Sequence, residues 1–153
     1  MKVRQVKDAK LISQLNRPVQ ELHYSLYPEF FHNYNERDIY NVFNRLVESE
    51  HFIFLLLEED EKAVGYAWIE IRDYPENPFI KGYKSLYVHQ ISIIEEKRHK
   101  GGGSLLMASI YRIAKEKDIT IVELDYWVKN EAAKNFYKKE QFVTQRECVF
   151  KRL

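Results

Sequence analysis

At 153 residues, with 45% apolar and 31% charged side chains, the chain is long enough for one substantial core. Twenty-four basic against 23 acidic residues leave a formal charge of +1, which argues against nucleic-acid or membrane partners recruited by bulk charge. One cysteine, Cys148, excludes an internal disulfide framework, fits a reducing compartment and reads as a small apolar filler of a strand.

No repeat, low-complexity tract or Pro/Gly linker divides the sequence, so residues 1–153 read as a single domain. Met1 to Val6 alternates charge and apolarity as a short strand and carries no signal-like apolar stretch. Asp8 is placed to cap a helix through about Leu15, and Arg17 to Leu26 continues as a second helical segment ending before Pro28. Glu36 to Val47 spaces Ile39, Val42, Phe43 and Leu46 as one face of a third helix. Phe52 to Leu57 is the longest apolar run and reads as a buried strand, far short of the roughly 20 residues a membrane span needs. The expected location is therefore soluble and cytoplasmic.

After a polar turn, Val64 to Arg72 returns as an antiparallel partner, and the prolines and glycine between Tyr74 and Gly82 make a loop. Leu86 to Ile94 is a fourth strand, Gly101 to Lys117 a helix with Leu106, Ile110, Ile113 and Ala114 in one stripe, and Ile119 to Val128 a fifth strand. There Val122, Leu124, Tyr126 and Val128 share one face. Asn130 caps a short helix through about Lys139, and Phe142 to Leu153 is expected to add one or two strands. This order predicts an α/β fold with a mixed sheet and one parallel crossover.

The chemistry is concentrated between Ile91 and Ser104, where a strand runs into Arg98-His99-Lys100-Gly101-Gly102-Gly103 and a helix starts directly behind. The unpaired amides of a helix's first turn carry the positive end of its dipole, and glycines let an anion approach the backbone. Arg98 and Lys100 add charge beside them. The turn is thus predicted to hold a phosphate or pyrophosphate. It lacks the Gly-Lys-Ser order of a nucleoside-triphosphate loop, and Leu106 stands where a dinucleotide fingerprint needs its third glycine.

Arg98-x-x-Gly101-x-Gly103 resembles the Q/R-x-x-G-x-G/A coenzyme A signature of the GNAT N-acetyltransferase superfamily, and Asn130-x-x-Ala133-x-x-Phe136-Tyr137 resembles its second motif. The resemblance covers about the C-terminal half of the chain. It implies a mixed, mainly antiparallel sheet of six to seven strands flanked by helices, with strands four and five splayed to admit acetyl-coenzyme A as co-substrate. It further implies that the backbones of Ile91 and Ile93 hold the pantetheine arm, and that Arg98, His99, Lys100, Gly101, Gly102, Gly103 and Ser104 cradle the pyrophosphate. Asn130 would bond the pantetheine, cap its helix, or do both. No metal is implied.

By the same resemblance Tyr137 is the general acid for the departing thiolate, or else a core aromatic beside Phe136. The family's glutamate bases are absent, since their places correspond to His89 and Tyr87. His89 is a candidate base, with a satisfied sheet histidine and a relayed water as alternatives. His23 and Tyr27, with Tyr24, Glu29 and Phe30 around Pro28, and Glu70 at the end of the third strand, form a candidate pocket for a cationic acceptor; ordinary packing explains the cluster equally well. The expected partner is a primary amine on a small molecule or a protein, with no nucleic acid and no membrane, and a homodimer is compatible with this reading. Two other readings compete: a coenzyme A-binding module without catalysis, which would not need Tyr137, and a nucleic-acid-binding domain resting on the basic run Lys97 to Lys100. Finally, Gln141 stands where a glycine commonly precedes the last phenylalanine, which bears on the turn after the final helix.

Overall fold

The computed structural model describes residues 1–153 and places eleven elements in chain order. These are β1 (Lys2–Val6), α1 (Ala9–Leu15), α2 (Arg17–Leu26), α3 (Glu36–Leu46), β2 (Phe52–Glu59), β3 (Lys62–Tyr74) and β4 (Tyr83–Ile93), then a 3₁₀ turn (Glu95–Lys97), α4 (Gly102–Glu116), β5 (Val122–Glu123) and α5 (Glu131–Lys139). The strands form one sheet in sequential order, antiparallel from β1 to β4, with β5 added parallel to β4 through the α4 crossover. None of the helices is long and apolar enough to cross a membrane.

Both faces of this sheet are covered, which explains why β2 is an unbroken apolar run rather than an alternating one. Ile53, Leu55 and Leu57 point to a core shared with Leu86, Val88, Leu106, Met107 and Ile110, on the α4 side. Phe54 and Leu56 point the other way, into a second core with Ile12, Phe43 and Tyr66 under α1 and α3. The Asp8 cap falls where the sequence places it, its Oδ1 accepting from the Leu11 amide at 2.9 Å, and Asn35 Oδ1 caps α3 by accepting from the Asp38 amide at 3.1 Å.

Asn16 ends α1 and begins α2, and its buried amide fastens this joint to the sheet. Its Nδ2 donates to the Tyr66 hydroxyl at 3.0 Å and to Gln90 Oε1 at 2.9 Å, while Ser92 Oγ donates to the Leu15 carbonyl at 2.9 Å. A network of buried polar bonds of this kind fixes the α1–α2 wall against β4.

Two expectations need correction. The sheet has five strands, not six to seven, and residues 142–153 form no strand. The fifth strand is also shorter than Ile119–Val128: only Leu86↔Val122 and Tyr87↔Glu123 are paired. The alternation of the sequence survives in both places, but a strand also needs a partner ladder for its backbone groups. β5 loses its partner by diverging from β4, and the segment after α5 never acquires one. Cys148 consequently lies exposed rather than filling a strand.

Candidate active site

The seam between β4 and β5 is closed at one end and open at the other. The Leu86 amide donates to the Ile121 carbonyl at 2.9 Å, toward β5, whereas the Ile94 amide donates to Val64 at 2.9 Å, toward β3. These two residues are an even number apart and should point the same way in a regular strand. The register explains the reversal: Ile69 pairs with Val88 and Trp68 with Gln90, so His89 is an extra residue in a bulge. Beyond it the backbone groups of Ile91 and Ile93 face away from β3, into the open seam. They have no β5 partner and, apart from the Ile93 carbonyl, which accepts from Arg98 Nε, present a short free edge to an extended ligand.

The same opening meets the start of α4. The first helical bond there is from the Leu105 amide to the Gly101 carbonyl, 3.0 Å, so the amides of Gly102, Gly103 and Ser104 ahead of it have no helical acceptor. Gly101 caps the helix in the left-handed region, at φ 83°, with nothing near the place a Cβ would occupy. The other two glycines serve packing. A Cβ on Gly102 would lie 2.6 Å from Leu57 Cδ2, and one on Gly103 would lie 2.9 Å from the Phe136 ring, so α4 seats closely on the sheet and on α5. Arg98, His99 and Lys100 are exposed on the rim, with Arg98 Nε donating to the Ile93 carbonyl at 3.2 Å. The Ser104 hydroxyl is taken by Glu140 at 2.6 Å, which leaves its amide as the free group. Beside the turn, an open groove of about 550 Å³ runs between α2 and Ile94, Glu96 and Arg98.

On the α4 side of the seam, Tyr137 of α5 packs between Tyr126, Phe136 and Phe142, with ring centroids 6.1, 5.2 and 5.5 Å away. Burial, with the Tyr87 and Tyr111 phenols adding to it, pushes its pKa well above the ordinary phenol value, and its hydroxyl has no hydrogen-bond partner in the chain. Such a group stays protonated and unspent: a donor, not a base. Asn130 caps α5, its Oδ1 accepting from the Ala133 amide at 3.1 Å, which leaves its side-chain NH₂ as the group with capacity to spare.

On the opposite face, His89 Nε2 lies 2.7 Å from Glu70 Oε2, and Arg72 Nε donates to the same oxygen at 2.8 Å. The imidazole stacks on Trp68, centroids 4.2 Å apart. Burial lowers the His89 pKa and outweighs the opposing pull of Glu70, so the ring is neutral near pH 7. Burial pushes Glu70 up, but the hydrogen bonds from Arg72 and His89 outweigh it and hold the carboxyl below its ordinary value. Glu70 is thus a carboxylate acceptor, Nε2 carries the proton, and Nδ1 holds the lone pair. Tyr87 donates to Asp125 at 2.6 Å on this face, with the Arg72 guanidinium 3.5 Å over its ring.

The sequence profile of the Acetyltransferase (GNAT) family matches residues 19–142, which is most of the chain. The chain belongs to the GNAT acetyltransferase family. Among solved structures it is similar to a tetramutant of the BH1408 protein from Bacillus halodurans, at 26% identity, with 100% of both chains covered and a TM-score of 0.92. It shares its fold with the aminoglycoside N-acetyltransferase AAC(6')-Iy in complex with CoA, at 16% identity, 99% and 93% coverage and a TM-score of 0.73. The same holds for a predicted acetyltransferase with acetyl-CoA from Clostridium acetobutylicum, at 20% identity, 99% and 95% coverage and a TM-score of 0.71. No curated protein sequence matches the chain.

In this GNAT chain the candidate cofactor residues Ile91, Ile93 and Arg98 to Ser104 form one continuous rim of the seam, and Tyr137 and Asn130 close it from α5. The three candidate acceptor residues do not come together. Glu70 is bound to His89 and Arg72. His23 stacks on Phe31 at 4.7 Å, with a buried Nδ1 that has no partner, and burial lowers its pKa. The Tyr27 hydroxyl accepts from the Lys129 amide at 3.0 Å while its ring meets Trp127 at 4.6 Å, so Tyr27 latches the end of α2 to the turn before α5. Trp68, Arg72, Glu123, Asp125 and Trp127 escaped the sequence reading. The last three were within reach, as the polar half of the alternation that put Val122, Leu124 and Tyr126 on the core face.

Proposed function

We propose that this chain transfers the acetyl group of acetyl-coenzyme A directly to a primary amine of a small molecule or protein, with no metal. The observation that carries this reading is the open seam, where the free backbone edge at Ile91 and Ile93 leads straight to the unpaired amides of α4. A pantetheine arm needs the first and a pyrophosphate the second. The residues present suit the group: the first turn of α4 is free of acidic side chains, and Arg98 and Lys100 flank it.

Acetyl-coenzyme A supplies the acyl group already activated as a thioester. Everything else falls to the chain. The edge amide of Ile91 or Ile93 donates to the thioester carbonyl oxygen and stabilises the charge that gathers there. His89, oriented by Glu70, takes a proton from the acceptor amine through Nδ1, directly or through water, so that the nitrogen lone pair can attack. As the carbon–nitrogen bond forms and the carbon–sulfur bond breaks, Tyr137 gives its phenolic proton to the departing sulfur. Glu123 and Asp125, which accept from the hydroxyls of Tyr74, Ser85 and Tyr87 and form no ion pair, suit a positively charged acceptor on the His89 face.

Thiol release from acetyl-coenzyme A across a panel of small amines, polyamines, aminoglycosides and amino-terminal peptides tests the proposal. Acetylation of at least one class, with calorimetric binding of coenzyme A, is the expected result. Absence of coenzyme A binding would overturn it.

A further inference from the structure

Glu70 Oε2 accepts two hydrogen bonds at once, from His89 Nε2 at 2.7 Å and from Arg72 Nε at 2.8 Å. A pair built for stability alone would set the arginine fork across both carboxylate oxygens. Here the guanidinium gives Glu70 one bond through Nε, and its carbon stands 3.5 Å over the centre of the Tyr87 ring. Arg72 therefore draws on the very oxygen that orients the candidate base.

The strand pattern explains this reach. Trp68, Glu70 and Arg72 alternate onto one face of β3, while Ile69 and Ile71 meet the core on the other. Arg72 pairs with the small residue Ser85, and Tyr87, which pairs with Glu70, is its diagonal neighbour on β4. Tyr87 in turn donates to Asp125 Oδ2 at 2.6 Å. One guanidinium thus touches both branches of this face, the carboxylate that orients His89 and the tyrosine that holds Asp125.

We propose, on the acetyl-transfer reading above, that Arg72 is a positioning residue: it draws charge on Glu70 away from the imidazole and, through Tyr87, fixes Asp125 beside the acceptor. A carboxylate bound to an imidazole alone favours the imidazolium–carboxylate pair, and a protonated ring cannot act as a base. A cation on the same oxygen opposes that pairing. The charged and titratable groups that bear on His89 are Glu70 and Arg72 from β3, Tyr87 from β4 and Asp125 from beyond β5, while Phe52 and Trp68 add rings. Burial opposes the charged ring most and Arg72 joins it, whereas Glu70 and Asp125 favour it. The side chains of Arg72 and Glu70 are 29% and 21% exposed, so bulk water screens these charges only in part.

The test is an NMR titration of the His89 imidazole in the full chain without ligand, from about pH 5 to 8, with the signal assigned by its loss in His89→Gln. Arg72→Met keeps an unbranched stem on Tyr87 and Arg72→Gln a polar one; both remove the charge. In both, the titration should move to higher pH, and the acid limb of the turnover profile should move with it. Plateau turnover should fall about tenfold or more, with coenzyme A affinity unchanged in calorimetry. Arg72→Lys restores the charge without the fork, so the titration should return toward its wild-type position while turnover recovers only in part. A titration that stays in place or moves to lower pH in the neutral variants would overturn the inference, as would wild-type turnover in a chemistry-limited step. The two readings fail separately because the titration needs no cofactor. A chain that binds no coenzyme A strikes the acetyl transfer, whereas an unmoved imidazole strikes only the role of Arg72.

Discussion

His89 Nε2 and Glu70 Oε2 stand 2.7 Å apart beside a one-residue bulge in β4, at which Val88 and Gln90 pair with the adjacent Ile69 and Trp68. Without the bulge the side-chain order of the strand would put His89 and Ile91 on one face; with it, the imidazole meets a carboxylate while the next free amides enter the seam. One irregularity therefore parts the candidate oxyanion donor from the face that carries the candidate base.

The first prediction concerns proton uptake by His89. Its pKa lies below the ordinary value near 6.5, chiefly through burial, and Glu70 holds it up. Glu70→Gln removes that support, so an NMR titration of the imidazole should move to lower pH, and turnover should fall as orientation is lost. The folded state favours the neutral ring, so its contribution to stability is present above about 6.5 and is lost as pH falls below it. An unmoved titration would show that Glu70 does not act on His89.

Tyr137→Phe keeps the ring and its packing while deleting a hydroxyl that has no partner in the chain. Thermal stability should barely change. Turnover should fall at least about tenfold, general acid catalysis being worth about 10²–10⁴-fold, with little change in acetyl-coenzyme A affinity. Turnover equal to wild type under chemistry-limited conditions would reduce Tyr137 to a packed aromatic.

At the glycine turn, two substitutions should separate binding from packing. Lys100→Ala removes an exposed charge, so coenzyme A affinity should drop, more so at low salt, with folding intact. Gly103→Val instead drives a branched side chain toward Phe136, so stability itself should fall. Calorimetry and thermal denaturation read the two effects independently.

The end of α5 offers a stability test. The Phe142 amide bonds the Tyr137 carbonyl at 3.0 Å and the Gln141 amide bonds Lys138 at 3.1 Å, the paired bonds of a Schellman stop, with Gln141 at φ 65°. Glycine enters that region without strain, so Gln141→Gly should raise stability by about 1 kcal/mol in chemical denaturation. Asn130→Ala, at the other end of α5, should cost about 0.5–2 kcal/mol by removing its cap.

The sequence by itself determined every helix, the first four strands and the glycine turn ahead of α4, because these follow from local signals. Apolar spacing, Asp8 and Asn130 as caps, and glycines ahead of Ser104 each act within a few residues. It also carried the motif that names the family, with Tyr137 inside it. The tertiary structure decided what depends on partners distant in the chain. Whether Ile119 to Val128 and residues 142–153 become strands rests on the presence of a neighbouring ladder, which alternation cannot supply. Whether Glu70 serves an acceptor or orients His89 rests on the β3–β4 register, and that register is shifted by a bulge with no glycine or proline to announce it. That Gly102 and Gly103 also leave room for Leu57 and Phe136 was likewise decided by the tertiary structure, since close packing and close binding both require a missing side chain.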